Sequence, residues 1–297
     1  MADLAELQTF VAVAHTGSFA SAARQLGLSP AMIGRRIQAL EQRYGAKLIE
    51  RTTRAHRLTT LGAEFLGKAS QIIDRMGELD ELARPDGTAL AGRIRLSAPT
   101  TLGITVIAKL LARFSDLHPA VSVEMNLNDR QIDLINEGYD LAIRVAELAP
   151  SSLVARRIGT YDFVCCAAPH YLEQHGTPRT LDDLANARCV LNLNIVPRNL
   201  WPFRDANGGV LNVQVSGRLE LDHGEAQRAA ALAGAGIIFA PRALVAADLK
   251  NGALVEVLAE FGKFTLPIHS VHPSRNFVPK RVSALIEFLA KEMKALG

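Results

Sequence analysis

The 297-residue chain is 48% apolar and 21% charged with a net charge of only +3, a balance that allows well-buried cores in two or three domains and argues against a protein that coats nucleic acid nonspecifically. No apolar run approaches the roughly 20 residues of a membrane span and the start MADLAELQTF lacks the basic-then-apolar pattern of a signal peptide, so a cytoplasmic protein without a membrane partner is expected. The three cysteines, Cys165, Cys166 and Cys189, stand at neither metal nor redox-motif spacing, which predicts buried free thiols, with a redox sensor as the alternative and with no metal or cofactor.

The first informative segment is FASAARQLGLSPAMIGRRI, residues 19–37. A helix from about Ser18 to Leu26 can lie close across a second helix only if the contact residues are tiny, which fits Ala22 and Ala23. Gly27 closes it through a left-handed turn. Ser29 then reads as an N-cap and Pro30 as the first residue of a second helix. Ile33, Ile37, Leu40 and Tyr44 recur every three or four positions and predict one inward face, leaving Arg35, Arg36, Gln38 and Arg43 outside or flanking it. After Gly45, the run KLIERTTRAHRLTTLG reads as a wing: a short strand at Leu48 and Ile49, a basic tip including Arg51, Thr53, Arg54, His56 and Arg57, and a return at Leu58 and Thr59. Between Arg24 and Arg57 eight basic residues face only Glu41 and Glu50, a local net charge of +6. Such a patch on a balanced chain suits phosphate neutralisation. A helical hairpin with a solvated charged face is the competing account. The expected DNA contacts are Ser29, Pro30, Met32, Arg35, Arg36, Arg51, Thr53, Arg54 and Arg57.

The segment LAELQTFVAVAHTGSFASAARQLGLSPAMIGRRIQALEQRYGAKLIERTTRAHRLTTLG resembles the LysR-type transcriptional regulators, and the likeness in layout continues to the C-terminus. One departure is visible, because many members carry a polar residue where this chain has Ala31 and Gly34, so base reading should lean on Arg35, Arg36 and indirect contacts. The resemblance implies an α/β protein with an N-terminal winged helix-turn-helix, a long linker helix and a C-terminal two-lobed periplasmic-binding-protein-like effector domain. It also implies double-stranded promoter DNA, a small-molecule effector, a second copy of the chain as dimer or tetramer, and RNA polymerase as partners, and no enzymatic activity. The expected divisions are 1–59 for DNA binding, 60–88 for the linker and dimerisation helix, 89–162 with 267–297 for lobe one, and 163–266 for lobe two.

From Thr60 to Arg84 the chain reads as one helix ended by Pro85, Asp86 and Gly87. Phe65, Ala69, Ile72, Met76 and Leu79 form a heptad seam on a helix roughly 35 Å long. A partner helix is expected to cover that seam, with packing on the same chain as the alternative.

From Gly92 onward strand and helix alternate. GRIRLSAP, VSVEMNLN and DLAIRV read as strands, with TTLGITVIAKLLARFSDL and RQIDLINEG as helices between them, which predicts βαβ units on a parallel sheet. A second set contains DFVCCAAP, a helix around HYLEQHG, ARCVLNLN, GVLNVQVSGRLELD, the helix HGEAQRAAALAGAG, IIFAP and RALVAADLKNG. LPIHSVHP and a final helix then return to the first lobe. Ligands in open α/β sheets lie beyond the carboxyl ends of strands, near helix N-termini. That rule selects Thr100, Thr101, Asn128 and Arg144 in lobe one and Asn192, Asn194, His223 and Glu225 in lobe two. Simpler roles stand beside each: Thr100 as a cap, Asn128 as a turn, Arg144 paired with Asp140 or Glu147. Arg144 suggests a carboxylate-bearing effector, since a guanidinium binds one through two hydrogen bonds. Cys166 and His170 make no nucleophile elbow, and no HExxH, P-loop or GxGxxG after a strand occurs. A plain solute-binding protein fits the lobes but not the basic N-terminal module.

Overall fold

The computed structural model describes residues 3–51, 56–82, 90–130, 132–135, 137–149, 151, 153–204, 207–261, 264–273 and 278–294. The chain divides into two units, Met1–Gly92 with Asp133–Gly138, and Arg93–Ile132 with Tyr139–Gly297.

The first unit opens with α1 (Leu4–Thr16), started by a capping box in which Asp3 and Glu6 each accept from the other's end of the first turn. Gly17 at φ 64° ends it. Next come α2 (Phe19–Leu26), capped by Ser18, and α3 (Pro30–Tyr44), capped by Ser29 with proline in its first turn. Gly27 links them at φ 65°, a conformation that glycine adopts at little cost. Ala22 and Ala23 are buried at the crossing, together with Phe10, Ile33, Ile37, Leu40 and Leu48. Tyr44, expected on the inward face, is half exposed and lays its ring edge-on against Phe65 at 5.0 Å. The apolar face thus ends one turn early. The wing is an antiparallel pair, β1 (Ile49–Arg51) and β2 (His56–Leu58), with Glu50 opposite Arg57. The long helix α4 (Thr60–Leu82) follows.

The second unit begins with β3 (Gly92–Ala98), then α5 (Thr100–Leu102), a π-helical stretch at Gly103–Ile107, and α6 (Ala108–Leu117). After β4 (Val121–Leu127) comes β5 (Leu141–Val145). The helix expected over RQIDLINEG is not formed by the described residues. Asp133 accepts from the Ile135 N–H at 3.1 Å and Glu137 accepts from the Asp133 N–H at 3.1 Å, and such local side-chain bonds compete with a helical ladder.

A 15-residue strand, β6 (Leu153–Ala167), leads to α7 (Pro169–His175), α8 (Leu181–Asn186) and β7 (Arg188–Asn192). A hairpin of β8 (Leu200–Arg204) and β9 (Val210–Gln214) precedes β10 (Ser216–Leu221), α9 (Gly224–Leu232), β11 (Ile238–Pro241) and α10 (Arg242–Asn251). The segment GVLNVQVSGRLELD holds two strands that part at Val215, because β9 pairs with β8 whereas β10 pairs in parallel with β7. β12 (Val255–Val257), β13 (Phe264–Pro273) and α11 (Lys280–Lys294) complete the unit.

The main sheet has the order β11-β6-β13-β5-β3-β4, with β12 also on β6. β3 and β5 are parallel, but β13 runs antiparallel to both β5 and β6, so the sheet is mixed and not purely parallel as expected. The expected lobe boundaries at 162/163 and 266/267 fall inside β6 and β13, two unbroken strands that pair with each other and run through both lobes. Around Trp201, Tyr171 and Phe239 lies one core of the second lobe.

Candidate nucleic-acid interface and effector cleft

The start of α3 is built for exposure. Ser29 Oγ accepts from the Met32 N–H at 3.3 Å, which satisfies one of the free amides of the first turn. Ala31, Met32, Arg35 and Gln38 project from the helix as exposed residues. Gly34 is half-buried, and a Cβ there would stand 3.9 Å from the Phe19 ring, an ordinary contact. Arg36 is different. It is half-buried and its guanidinium donates to Thr9 Oγ1 at 3.3 Å, which ties α3 to α1. Arg43 does the same with Glu6 at 3.2 Å. Arg57 is exposed on β2, and Arg51 pairs with His56 across the wing; the Arg51 side chain, Thr53 and Arg54 lie outside the described residues.

Glu41 sets the position of that wing. Only 4% exposed, it accepts from the Leu48 N–H at 3.0 Å, the Ile49 N–H at 3.1 Å and the Lys47 ammonium at 2.7 Å. Burial alone would raise its pKa, but the Lys47 ammonium and the two amides together outweigh it and hold the carboxyl below its usual range. On the other side of the strand, Thr59 donates to Lys47 O at 2.8 Å and accepts from the Gly62 N–H at 2.9 Å. A Cβ on Gly62 would lie 2.0 Å from Leu48 O, so only glycine lets α4 start this close to β1. Neither role is visible in the charge pattern or the helical period, because both depend on where residue 48 arrives.

The α4 seam divides. Phe65 meets Phe10 edge-on at 5.5 Å and Ala69 is 1% exposed, so these two pack on the helix-turn-helix of the same chain. Ile72 and Met76 are 49% and 41% exposed. The Leu79 side chain lies outside what is described.

In the second unit the turn after β3 and the start of α9 come together. A Cβ on Gly224 would meet Thr101 Oγ1 at 2.5 Å, so the missing side chain at the first residue of α9 is what lets Thr101 approach. His223 caps α9, its Nδ1 accepting from the Glu225 N–H at 3.3 Å. Thr100 presents its N–H to Asp129 Oδ1 at 2.9 Å, so a carboxylate of the chain itself already sits on the α5 N-terminus. Nearby on β6 is Tyr161, whose buried hydroxyl has no hydrogen-bond partner among the described residues and is pushed up to about 12 by that burial.

The other expected positions are engaged locally. Asn128 accepts from the Arg130 N–H at 2.9 Å in a turn. Asn192 accepts from the Asn194 N–H at 2.9 Å and donates to Gln227, while Asn194 donates to Asp222 O, which locks the β7 loop to α9. Glu225 pairs with Arg228 at 3.3 Å, and Arg228 also grips Asp248 of α10 through two bonds of 2.5 and 2.7 Å. Arg144 donates to Ile143 O at 3.2 Å, and Asp140 accepts from the Arg95 N–H at 2.8 Å.

Cys165, Cys166 and Cys189 are all buried and free. Burial pushes Cys166 and Cys189 up to about 12 and Cys165 well above its usual value, which opposes the thiolate that redox sensing needs. Among the described residues no group of three His, Cys, Asp or Glu side chains could hold a metal ion, and no helix is long and apolar enough to cross a membrane.

Comparison with known proteins matches residues 4–63 to the bacterial regulatory helix-turn-helix protein model of the lysR family and residues 87–294 to the LysR substrate binding domain. The chain is 34% identical to the HTH-type transcriptional regulator YhjC of Escherichia coli over 97% of both chains. It is 31% identical to the regulator DmlR of the same species, over 96% of this chain and 93% of that one. The solved structure of CrgA, a LysR-type transcriptional regulator from Neisseria meningitidis, superposes with a TM-score of 0.63 at 30% identity, covering 97% of this chain and 98% of CrgA.

Proposed function

The chain belongs to the LysR family of bacterial transcriptional regulators, with a DNA-binding helix-turn-helix and an effector-binding substrate domain, and from that premise we propose how its own residues divide the work. The N-terminus of α3 enters the major groove with Met32 and Arg35 toward the bases, while Ser29 and Pro30 bring the first turn against a phosphate. Arg36, held by Thr9, contributes less to base reading than its sequence position suggests. The wing, braced by Glu41, carries Arg51, Thr53, Arg54 and Arg57 to the backbone. Ile72, Met76 and Leu79 of α4 pair with a second copy, and the regulator acts in the cytoplasm where its promoter lies.

The effector of this reading is a small polar molecule held between Thr101 on α5 and His223 on α9. The observation that carries it is the approach of Thr101 to Gly224, which makes one site from two lobes. Asp129 on the α5 N-terminus disfavours an acid group at that end of the cleft. The test is removal of residues 1–59. The remaining chain should keep effector binding by calorimetry and lose promoter binding; loss of both, or of neither, contradicts the division of labour.

A further inference from the structure

Basic side chains fall into register on three adjacent strands of the second unit. Arg144 on β5 pairs with His269 on β13, and His269 pairs with Arg157 on β6. Paired residues on neighbouring strands project to the same face with Cβ atoms about 5 Å apart, so the three form one row. Ile268, the residue before His269, stands opposite Gly159, and a Cβ on Gly159 would lie 3.4 Å from Met293 of α11. Successive residues of a strand point to opposite faces. The row therefore occupies the face turned away from α11. α6 packs on α11 through Phe114 and Phe288, so the helix that Thr100 and Thr101 lead into belongs to the other face.

Arg144 donates to Ile143 O and has a further partner, while no hydrogen bond or ion pair among the described residues engages the exposed Arg157 or the half-buried His269 side chain. His269 Nδ1 is sealed from water without a hydrogen-bond partner, and so is the hydroxyl of Ser97, which pairs with Ala142 on the same face one step along the strands. A buried polar atom left unpaired costs free energy that a matching group recovers. The register also shifts between Ile268 and His269, where Ile158 is the extra residue. Bulges of this kind re-aim the side chains beside them, here Arg157.

We propose that this row is a binding site for a small oxyanion, a phosphate or carboxylate group held between Arg144 and Arg157 with His269 donating from Nδ1. Two strand spacings separate the arginines by about 10 Å, a gap that two long guanidinium side chains close onto one ion. The site is separate from the cleft of α5 and α9.

Thermal shift and calorimetry on the full chain, with sodium phosphate and sodium succinate against sodium chloride at matched ionic strength, test this. Phosphate, succinate or both should stabilise the protein beyond chloride; response to phosphate alone assigns a phosphorylated ligand, to succinate alone a carboxylate. Arg157→Gln, an exposed substitution that leaves packing intact, should weaken the apparent affinity about tenfold or more, as should His269→Asn, while Thr101→Val leaves it unchanged. A response no greater than to chloride overturns the proposal. So does one that survives Arg157→Gln with His269→Asn, which would place the anion on the basic DNA face, or one that Thr101→Val abolishes.

Discussion

Replacing Glu41 with alanine isolates the brace under the wing. The substitution removes the acceptor of two buried amides, Leu48 and Ile49, and the partner of Lys47. Each buried amide left unpaired costs about 1–3 kcal/mol, so the segment loses about 2–6 kcal/mol unless it opens to water first. A middle figure of about 4 kcal/mol speeds amide exchange at residues 48 and 49 by about three orders of magnitude, since about 1.4 kcal/mol is tenfold. Hydrogen–deuterium exchange by mass spectrometry reads this directly on the full chain. Glu41→Gln, which keeps an oxygen and loses the charge, should fall between. The pH dependence gives a second check. Because the folded carboxyl titrates below its usual 4.5, the unfolded chain binds more protons in acid. Its stabilisation is therefore complete above about 4.5 and is lost as pH falls through the folded value. Glu41→Gln should lose less stability in acid than the wild type, the remaining loss coming from other carboxyls such as Glu124 that are also held low. Equal exchange rates in wild type and Glu41→Ala would refute the brace.

Four further outcomes follow from the same geometry. Arg57→Ala should reduce the slope of log affinity against log salt by about one if it neutralises a single phosphate; an unchanged slope removes it from the interface. Arg35→Ala should cost about 1–3 kcal/mol on the promoter and less on random DNA, whereas equal losses reassign it to backbone contact. Ile72→Asp should yield monomers in light scattering, and an unaltered mass would show that α4 uses another surface. Gly224→Ala should cost about 1–3 kcal/mol through overpacking against Thr101, and adding Thr101→Ala should recover most of it; no recovery means the two residues do not meet.

The helix-turn-helix was legible because its determinants are local. Ser18, Ser29, Pro30 and Gly27 act within one turn of where they stand, and Ala22 and Ala23 announce a close crossing by size alone. What sequence could not reveal depends on distant arrivals. Gly62 looks like any helical glycine until Leu48 O comes within 2.0 Å of its absent Cβ, and Gly224 until Thr101 does. Periodicity marked Tyr44 as inward because it cannot sense where the neighbouring helix ends. Nor does local pattern place the division between β9 and β10 at Val215, which is set by two different partners. In the cleft, residue type identified candidates, but only the structure assigns Asn128, Asn192 and Asn194 their local bonds.

The central claim is that the face opened by Pro30 reads a particular DNA sequence. Fluorescence anisotropy of the purified chain with its own upstream region against scrambled oligonucleotides of equal length and composition, at moderate salt, measures it. Tighter binding to the upstream region, abolished by Arg35→Ala with Arg57→Ala, is the predicted result; indistinguishable affinities for the two sequences would contradict it.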